Sequence, residues 1–141
     1  DPAMAYTYSH PHRVRYRECD PMGVVYHTHY LDYFEVARTE ALRHAGVRYR
    51  DLEANGIIMP VVHVEVDYHG PAHYDDPLVV DAHFTQMPTV RVPIDYTVYR
   101  EGDDDALVTG HTTLCFTDAE ARRPTSPPEA VHEAFAPLLE E

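Results

Sequence analysis

Few kinds of side chain are available for chemistry in this chain. All eleven basic residues are arginines and lysine is absent. That removes Schiff-base routes and the lysine of a phosphate-binding P-loop. Serine occurs only at Ser9 and Ser126, neither inside a Gly-x-Ser-x-Gly turn, so serine hydrolysis is not expected. Carboxylates, histidines, tyrosines and the thiols of Cys19 and Cys115 remain. Asp20, just before Pro21, reads most simply as a turn residue when taken alone, with catalysis the lesser reading. Cys19 is read as an incidental thiol rather than a nucleophile. His27 and His29 resemble a metal pair, but no further ligand is placed beside them by the sequence, so no metal is expected. His69 and His73 flank Gly70-Pro71 and read as loop residues. Glu35 reads as an exposed or ion-paired helix residue. His63 reads equally as a sheet histidine or a pocket-lining one.

The elements that must position these groups follow from periodicity. Residues His12 to Glu18 alternate, which predicts a short strand, and Cys19 to Gly23 then break into a loop. From Thr28 to Ala45 the spacing becomes helical. Tyr30, Tyr33, Phe34, Ala37, Ala41, Leu42 and Ala45 form the apolar stripe, with Asp32, Glu35, Arg38, Glu40 and Arg43 on the rest. Thr28 is the expected N-cap and Gly46 the left-handed C-cap. Asp32 and Glu35 early, with Arg43 and His44 late, suit the helix dipole. The alanines of this stripe predict close packing against the helix. A short helical turn is expected over Val47 to Asn55. Three alternating runs follow: Val62 to Tyr68, Leu78 to Phe84 and Val90 to Val98. After a hairpin turn at Glu101 to Asp105 comes a last strand with Val108, Thr112, Leu114 and Phe116. Pro93 within a strand requires an edge or a bulge. A terminal helix over Ala130 to Leu139 is interrupted by Pro137. One strand, one long helix, then strands joined by short loops predict an α+β fold: an antiparallel sheet wrapped around a single helix.

Composition narrows the function. The chain has 141 residues, 44% hydrophobic and 25% charged, which fits one globular domain. That domain is expected over residues 4–141, with 1–3 set aside because they precede Met4 and with 119–141 as a C-terminal extension. A formal net charge of −13 argues against nucleic acid as a partner, yet a local arginine cluster can still bind phosphates. No apolar run approaches the roughly 18 residues of a membrane helix, and no secretory signal is seen. The expected setting is cytoplasmic, with both cysteines reduced.

Two motifs carry a resemblance. The stretch Val14 to Arg38 holds Glu18-Cys19-Asp20-Pro21-Met22-Gly23-Val24-Val25-Tyr26-His27, followed by Tyr30, Tyr33 and Glu35-Val36-Ala37-Arg38. Further on stands Tyr68-His69-Gly70-Pro71-Ala72-His73-Tyr74-Asp75-Asp76. Both, in this order, resemble the 4-hydroxybenzoyl-CoA thioesterase-type hotdog family, which includes acyl-CoA thioesterases associated with the Tol–Pal system. The resemblance spans roughly Arg13 to Asp118. It implies a hotdog fold and hydrolysis of an acyl-CoA thioester. Asp20 would be the nucleophile or general base, and the backbone N–H of His27, at the start of the long helix, the oxyanion donor. Such a donor fits the physics, because a helix start has free N–H groups and a favourable dipole. The implied substrate contacts are Gly23, Val24, Tyr26, His63 and Arg91. Glu18 stands where the family often has aspartate. At Pro88-Thr89-Val90-Arg91, where relatives often carry basic residues and a serine near the CoA phosphates, Arg91 supplies the only charge.

The resemblance implies no cofactor. It implies acyl-CoA as substrate, with acyl-ACP open as the carrier, and a homodimer or homotetramer. Two other readings remain: a hotdog acyl dehydratase or hydratase, whose His–Asp or His–Glu motifs are not found, and a non-catalytic acyl-CoA-binding interaction protein.

Overall fold

A computed structural model describes residues 6–139 of the protein. The expected domain boundaries at 4 and 141 lie outside them. The elements in chain order are β1 (Tyr6–Arg13), α1 (His29–Ala45), α2 (Tyr49–Ala54), β2 (Ile57–Ile58), β3 (Val61–Tyr68), β4 (Pro77–Phe84), β5 (Arg91–Arg100), β6 (Ala106–Cys115), β7 (Thr117–Asp118), β8 (Arg123–Pro124) and α3 (Glu129–Leu139). Five strands form one antiparallel sheet in the order β1-β4-β5-β6-β3, and β2-β7-β8 form a small second one.

The strand expected over His12 to Glu18 is displaced. The first strand is β1, which ends at Arg13, and Tyr16–Glu18 is a single 3-10 turn. The inward-facing positions of β1 are Tyr6, Tyr8, His10 and His12. Their aromatic and imidazole rings replace the aliphatic residues that usually announce a strand. Tyr6 is buried and donates from its phenol to the Ala41 carbonyl of α1 at 2.8 Å. Pro11 is tolerated because β1 is an edge strand.

Helix α1 lies where its stripe requires. Tyr30, Tyr33, Phe34, Ala37, Ala41 and Leu42 are buried. Gly46 closes it at φ 104°, and its N–H reaches the carbonyls of Arg43 and Leu42. Two expectations about α1 need correcting. Thr28 occupies the N-cap position but makes no side-chain capping bond, because it is itself helical (φ −72°, ψ −22°). Arg38, assigned to the polar face, is buried beside Tyr49 and Tyr96, because it stands one turn from both Phe34 and Leu42 on the buried side of α1.

The core is one cluster between α1 and the sheet. Alternate residues Leu78, Val80, Ala82 and Phe84 of β4, and Val92, Ile94, Tyr96 and Val98 of β5, point into it. Pro93 sits at a local edge, since β4 pairs with β5 only as far as His83 opposite Asp95. Phe135 of α3 closes one end against Tyr6 and Phe84. The tightest contact is at the centre. The Phe34 ring stacks on Tyr96 with centroids 4.3 Å apart. It occupies the space a side chain at Gly110 of β6 would need. Gly110→Ala should therefore destabilise the fold by about 1–3 kcal/mol, the usual cost of overpacking, read as a lowered urea midpoint. An unchanged midpoint would mean that the ring has room to move.

Candidate active site

The sequence Asp20-Pro21-Met22-Gly23 has the composition of a β-turn: Asp first, Pro second and Gly fourth. It forms one, with the Gly23 N–H donating to the Asp20 carbonyl at 2.8 Å and Gly23 at φ 83°. A positive φ there favours glycine, and nothing lies within 4 Å of the place a Cβ would occupy. The turn is clasped at its base. Asp20 N–H donates to the Val24 carbonyl at 2.9 Å, and Tyr26 N–H to the Glu18 carbonyl at 2.9 Å.

Within this turn the Asp20 carboxylate is half committed. Oδ1 accepts from the Met22 N–H at 2.9 Å and, more distantly, from the Val24 N–H at 3.5 Å. Among the described residues Oδ2 has no hydrogen-bond partner. The side chain is thus oriented through one oxygen while the other stays available.

The second motif braces the first. Val25 N–H donates to the Ala72 carbonyl at 2.9 Å, and Val24 bridges to His73. The turn carrying Ala72 is tied in its turn by Arg100, which donates to the Pro71 carbonyl at 2.7 Å and to Asp76 at 3.1 Å. Asp76 also accepts from the His73 N–H at 2.8 Å.

Glu18 anchors the near side. Its Oε1 accepts from the Arg15 N–H at 2.8 Å and the Tyr33 hydroxyl at 2.9 Å, and meets His12 Nε2 at 3.0 Å. Partial burial pushes this carboxyl up, but these three contacts together outweigh burial and hold it below its ordinary value of 4.5. A lowered folded-state pKa stabilises above the unfolded value and is lost as pH falls through the folded one. Glu18→Ala should cost about 1–3 kcal/mol at pH 7, since it orphans the buried Tyr33 hydroxyl. It should also lose less stability than the parent when the pH is taken below 4.5. Urea titrations on both sides of that pH check the two effects, and parallel acid profiles would remove Glu18 from the account.

His27 immediately precedes the N-cap of α1. Among the described residues its N–H makes no backbone hydrogen bond, while the carbonyl of that same peptide and the carbonyl of the next are both engaged. The Tyr26 carbonyl accepts from the His29 N–H at 3.0 Å, and the His27 carbonyl accepts from the Tyr68 hydroxyl at 2.9 Å. Partial burial pushes the Tyr68 phenol up, so it remains a donor. Sequence reasoning gave Tyr68 no role here, although it stands at the head of the second motif. The His27 ring is exposed and lies against Tyr26 at 4.5 Å.

Asp20, Gly23, Val24, Tyr26 and His27 thus share one loop, whereas His63 and Arg91 do not join them within the chain. His63 hydrogen-bonds Glu65 at 2.7 Å and neighbours His111, on the sheet face away from α1. Arg91 begins β5, whose other end, Arg100, is the one tied to the loop. Ten residues of strand put it on the order of 30 Å away. Cys19 and Cys115 are free thiols. Among the described residues no three His, Cys, Asp or Glu side chains are grouped as metal ligands, and no helix is long and apolar enough to cross a membrane.

A family model described as thioesterase-like superfamily matches residues 14–135. The chain belongs to this family. The thioesterase-like match takes in both motifs and every strand of the main sheet except β1. Among curated proteins, the chain is 45% identical over 67 residues to a putative acyl-CoA thioesterase, YneP, of Bacillus subtilis, covering 48% of this chain and 49% of that one. It is 40% identical over 75 residues to the acyl-CoA thioester hydrolase YbgC of Escherichia coli, covering 53% and 56%. The chain thus spans about half the length of these curated relatives. Among solved structures, a DHNA-CoA thioesterase from Staphylococcus aureus matches with a TM-score of 0.86 at 29% identity, over 94% of this chain and 90% of that one. The thioesterase-like chain therefore has the hotdog fold expected from its motifs.

Proposed function

We propose that the chain hydrolyses an acyl-CoA thioester to free acid and CoA. The observation that carries this reading is a carboxylate with one oxygen anchored and one unengaged, on the loop that leads into an uncommitted N–H at a helix start. A thioester carbonyl needs both. With Asp20 as general base, water attacks the carbonyl carbon while Asp20 takes its proton. The carbonyl oxygen becomes an oxyanion held by the His27 N–H. The C–S bond then breaks, and the thiolate leaves and is protonated. With Asp20 as nucleophile, Oδ2 attacks first, CoA leaves, and water hydrolyses the resulting anhydride. Gly23, Val24 and Tyr26 border the acyl carbonyl. Neither route calls for a metal or organic cofactor. The family match and the names of the relatives support this activity over a dehydratase or a non-catalytic binder.

The active form is a homo-oligomer. β3 is an edge strand with one neighbour, yet Val61, Val62, Val64 and Tyr68 on it are 41–50% exposed. An unpaired apolar edge calls for a partner. Antiparallel pairing with β3 of a second copy sets the start of one strand beside the end of the other. That brings the sheet end bearing Arg91 toward the opposite copy's Tyr68 and His27, which is how Arg91 can reach the substrate.

Thiol release should be seen with acyl-CoA, and light scattering at low micromolar concentration should give a mass of at least two chains. Absence of thiol release across short, long and aromatic acyl-CoAs would refute hydrolysis, and a fully active monomer would refute the assembly.

A further inference from the structure

Arg13, Arg15 and Arg17 are three of the eleven arginines, set in five residues of a chain with net charge −13. All three are exposed and border a groove of about 490 Å³ together with Tyr16 and Tyr74. Tyr16 is 80% and Tyr74 55% exposed, and their rings meet edge to face at 5.4 Å. Arg13 is partly compensated by Asp75 at 3.6 Å. Among the described residues, Arg15 and Arg17 have no carboxylate partner. Both also border a second groove of about 250 Å³ shared with His10, His12 and the carboxylates of Glu18 and Asp32. Nothing in the proposed chemistry at Asp20 uses these side chains.

We infer that this surface binds the nucleotide end of CoA, with Arg15 and Arg17 on its phosphates and the Tyr16–Tyr74 pair against the adenine. The inference rests on the acyl-CoA reading and names the site that recognises the carrier. Guanidinium groups bind phosphate oxygens through paired, charge-assisted hydrogen bonds. Exposed aromatic faces stack on a nucleobase. An acidic carrier protein would use the arginines but has no base to place on two exposed tyrosines. The position is apt. Arg17 is three residues from Asp20, at most about 11 Å along the chain, and Tyr74 follows His73, which bridges to Val24 of the catalytic loop. The pantetheine arm spans the interval between a nucleotide held there and the reacting carbonyl.

The test has a binding arm and a kinetic arm. In calorimetry, adenosine 3′,5′-bisphosphate should bind the unmodified protein, and the double variant Arg15→Ala/Arg17→Ala should weaken it by about tenfold or more. Tyr16→Ala should weaken it several-fold. In kinetics, the kcat/KM ratio of acyl-CoA to the matching acyl-N-acetylcysteamine, which lacks the nucleotide, should fall by about the same factor. Arg50→Ala, at an exposed position of α2, should leave that ratio alone. The inference is overturned if the bisphosphate does not bind, or if the double variant binds it as the parent does. It is equally overturned if Arg91→Ala lowers the ratio and the double variant does not. So it is if the double variant loses only an acidic carrier protein. Bisphosphate binding that depends on Arg15 and Arg17, in a protein that cleaves neither thioester, would retain this site and remove the proposed hydrolysis.

Discussion

Asp20→Asn should slow thioester hydrolysis by a factor of a hundred or more while leaving the fold intact. The amide keeps the shape of the carboxylate and its Oδ1 acceptor. The bonds from the Met22 and Val24 N–H groups, and with them the turn, should survive. What is lost is the unengaged anionic oxygen. An amide neither attacks a thioester nor takes a proton from water at neutral pH, so both routes stop at the same atom. Loss of a positioned base costs about a hundredfold to ten-thousandfold. Stability should move by only a few tenths of a kcal/mol, as is usual for a loop substitution. Substrate binding should persist or tighten, because a negative charge beside an anionic ligand is gone. Cys19→Ala is the control and should stay near the parent. The measurement is single-turnover hydrolysis of the best acyl-CoA, with circular dichroism to confirm folding. A folded Asp20→Asn protein with more than about a third of the parent rate would show that Asp20 is only a turn residue.

The second large effect belongs to the His27 backbone, and two substitutions isolate it. His27→Ala removes an exposed ring and keeps the N–H, so turnover should stay within a few-fold of the parent. His27→Pro removes the N–H and should cost about a hundredfold to a thousandfold in kcat, the scale of losing one oxyanion donor. The fold has little reason to miss that N–H, which makes no backbone hydrogen bond among the described residues. Proline is also well tolerated just before and at helix starts. KM should change far less than kcat, because the donor acts on charge that develops only in the transition state. Equal losses in both variants would assign the effect to the imidazole, and a folded proline variant with parent-like kcat would remove His27 as the donor.

The order of elements was legible wherever aliphatic residues alternate or recur at helical spacing: α1, β4, β5 and β6 fall close to where their patterns put them. β1 was not, because its inner face is built from tyrosine and histidine, whose burial depends on hydrogen bonds such as Tyr6 to Ala41 rather than on hydropathy. Arg38 is put on the polar face by its charge, although it stands four residues from both Phe34 and Leu42 and so lies on the buried side of the helix. At the site, the motifs located the loop but not its bracing. The Tyr68 hydroxyl on the His27 carbonyl joins residues 41 positions apart, and no local pattern announces such a bond. Arg91 rests on the resemblance and His63 on its place in a strand, and a single chain separates them from the loop because the sheet has two ends and two faces.

The ring of Phe34, seated over Gly110, also indexes α1 as a key indexes a shaft. Five residues separate Phe34 from the first helical residue, His29, so the keyed position lies about 8 Å down the axis from the end that presents the His27 N–H. A rod held that near its tip can neither slide along the sheet nor roll without unseating the ring. The height of the His27 N–H above the Asp20 turn is therefore gauged at Gly110, which lies on β6 and not on that loop. Slight enlargement there should register as a changed rate constant before the molecule loses its fold.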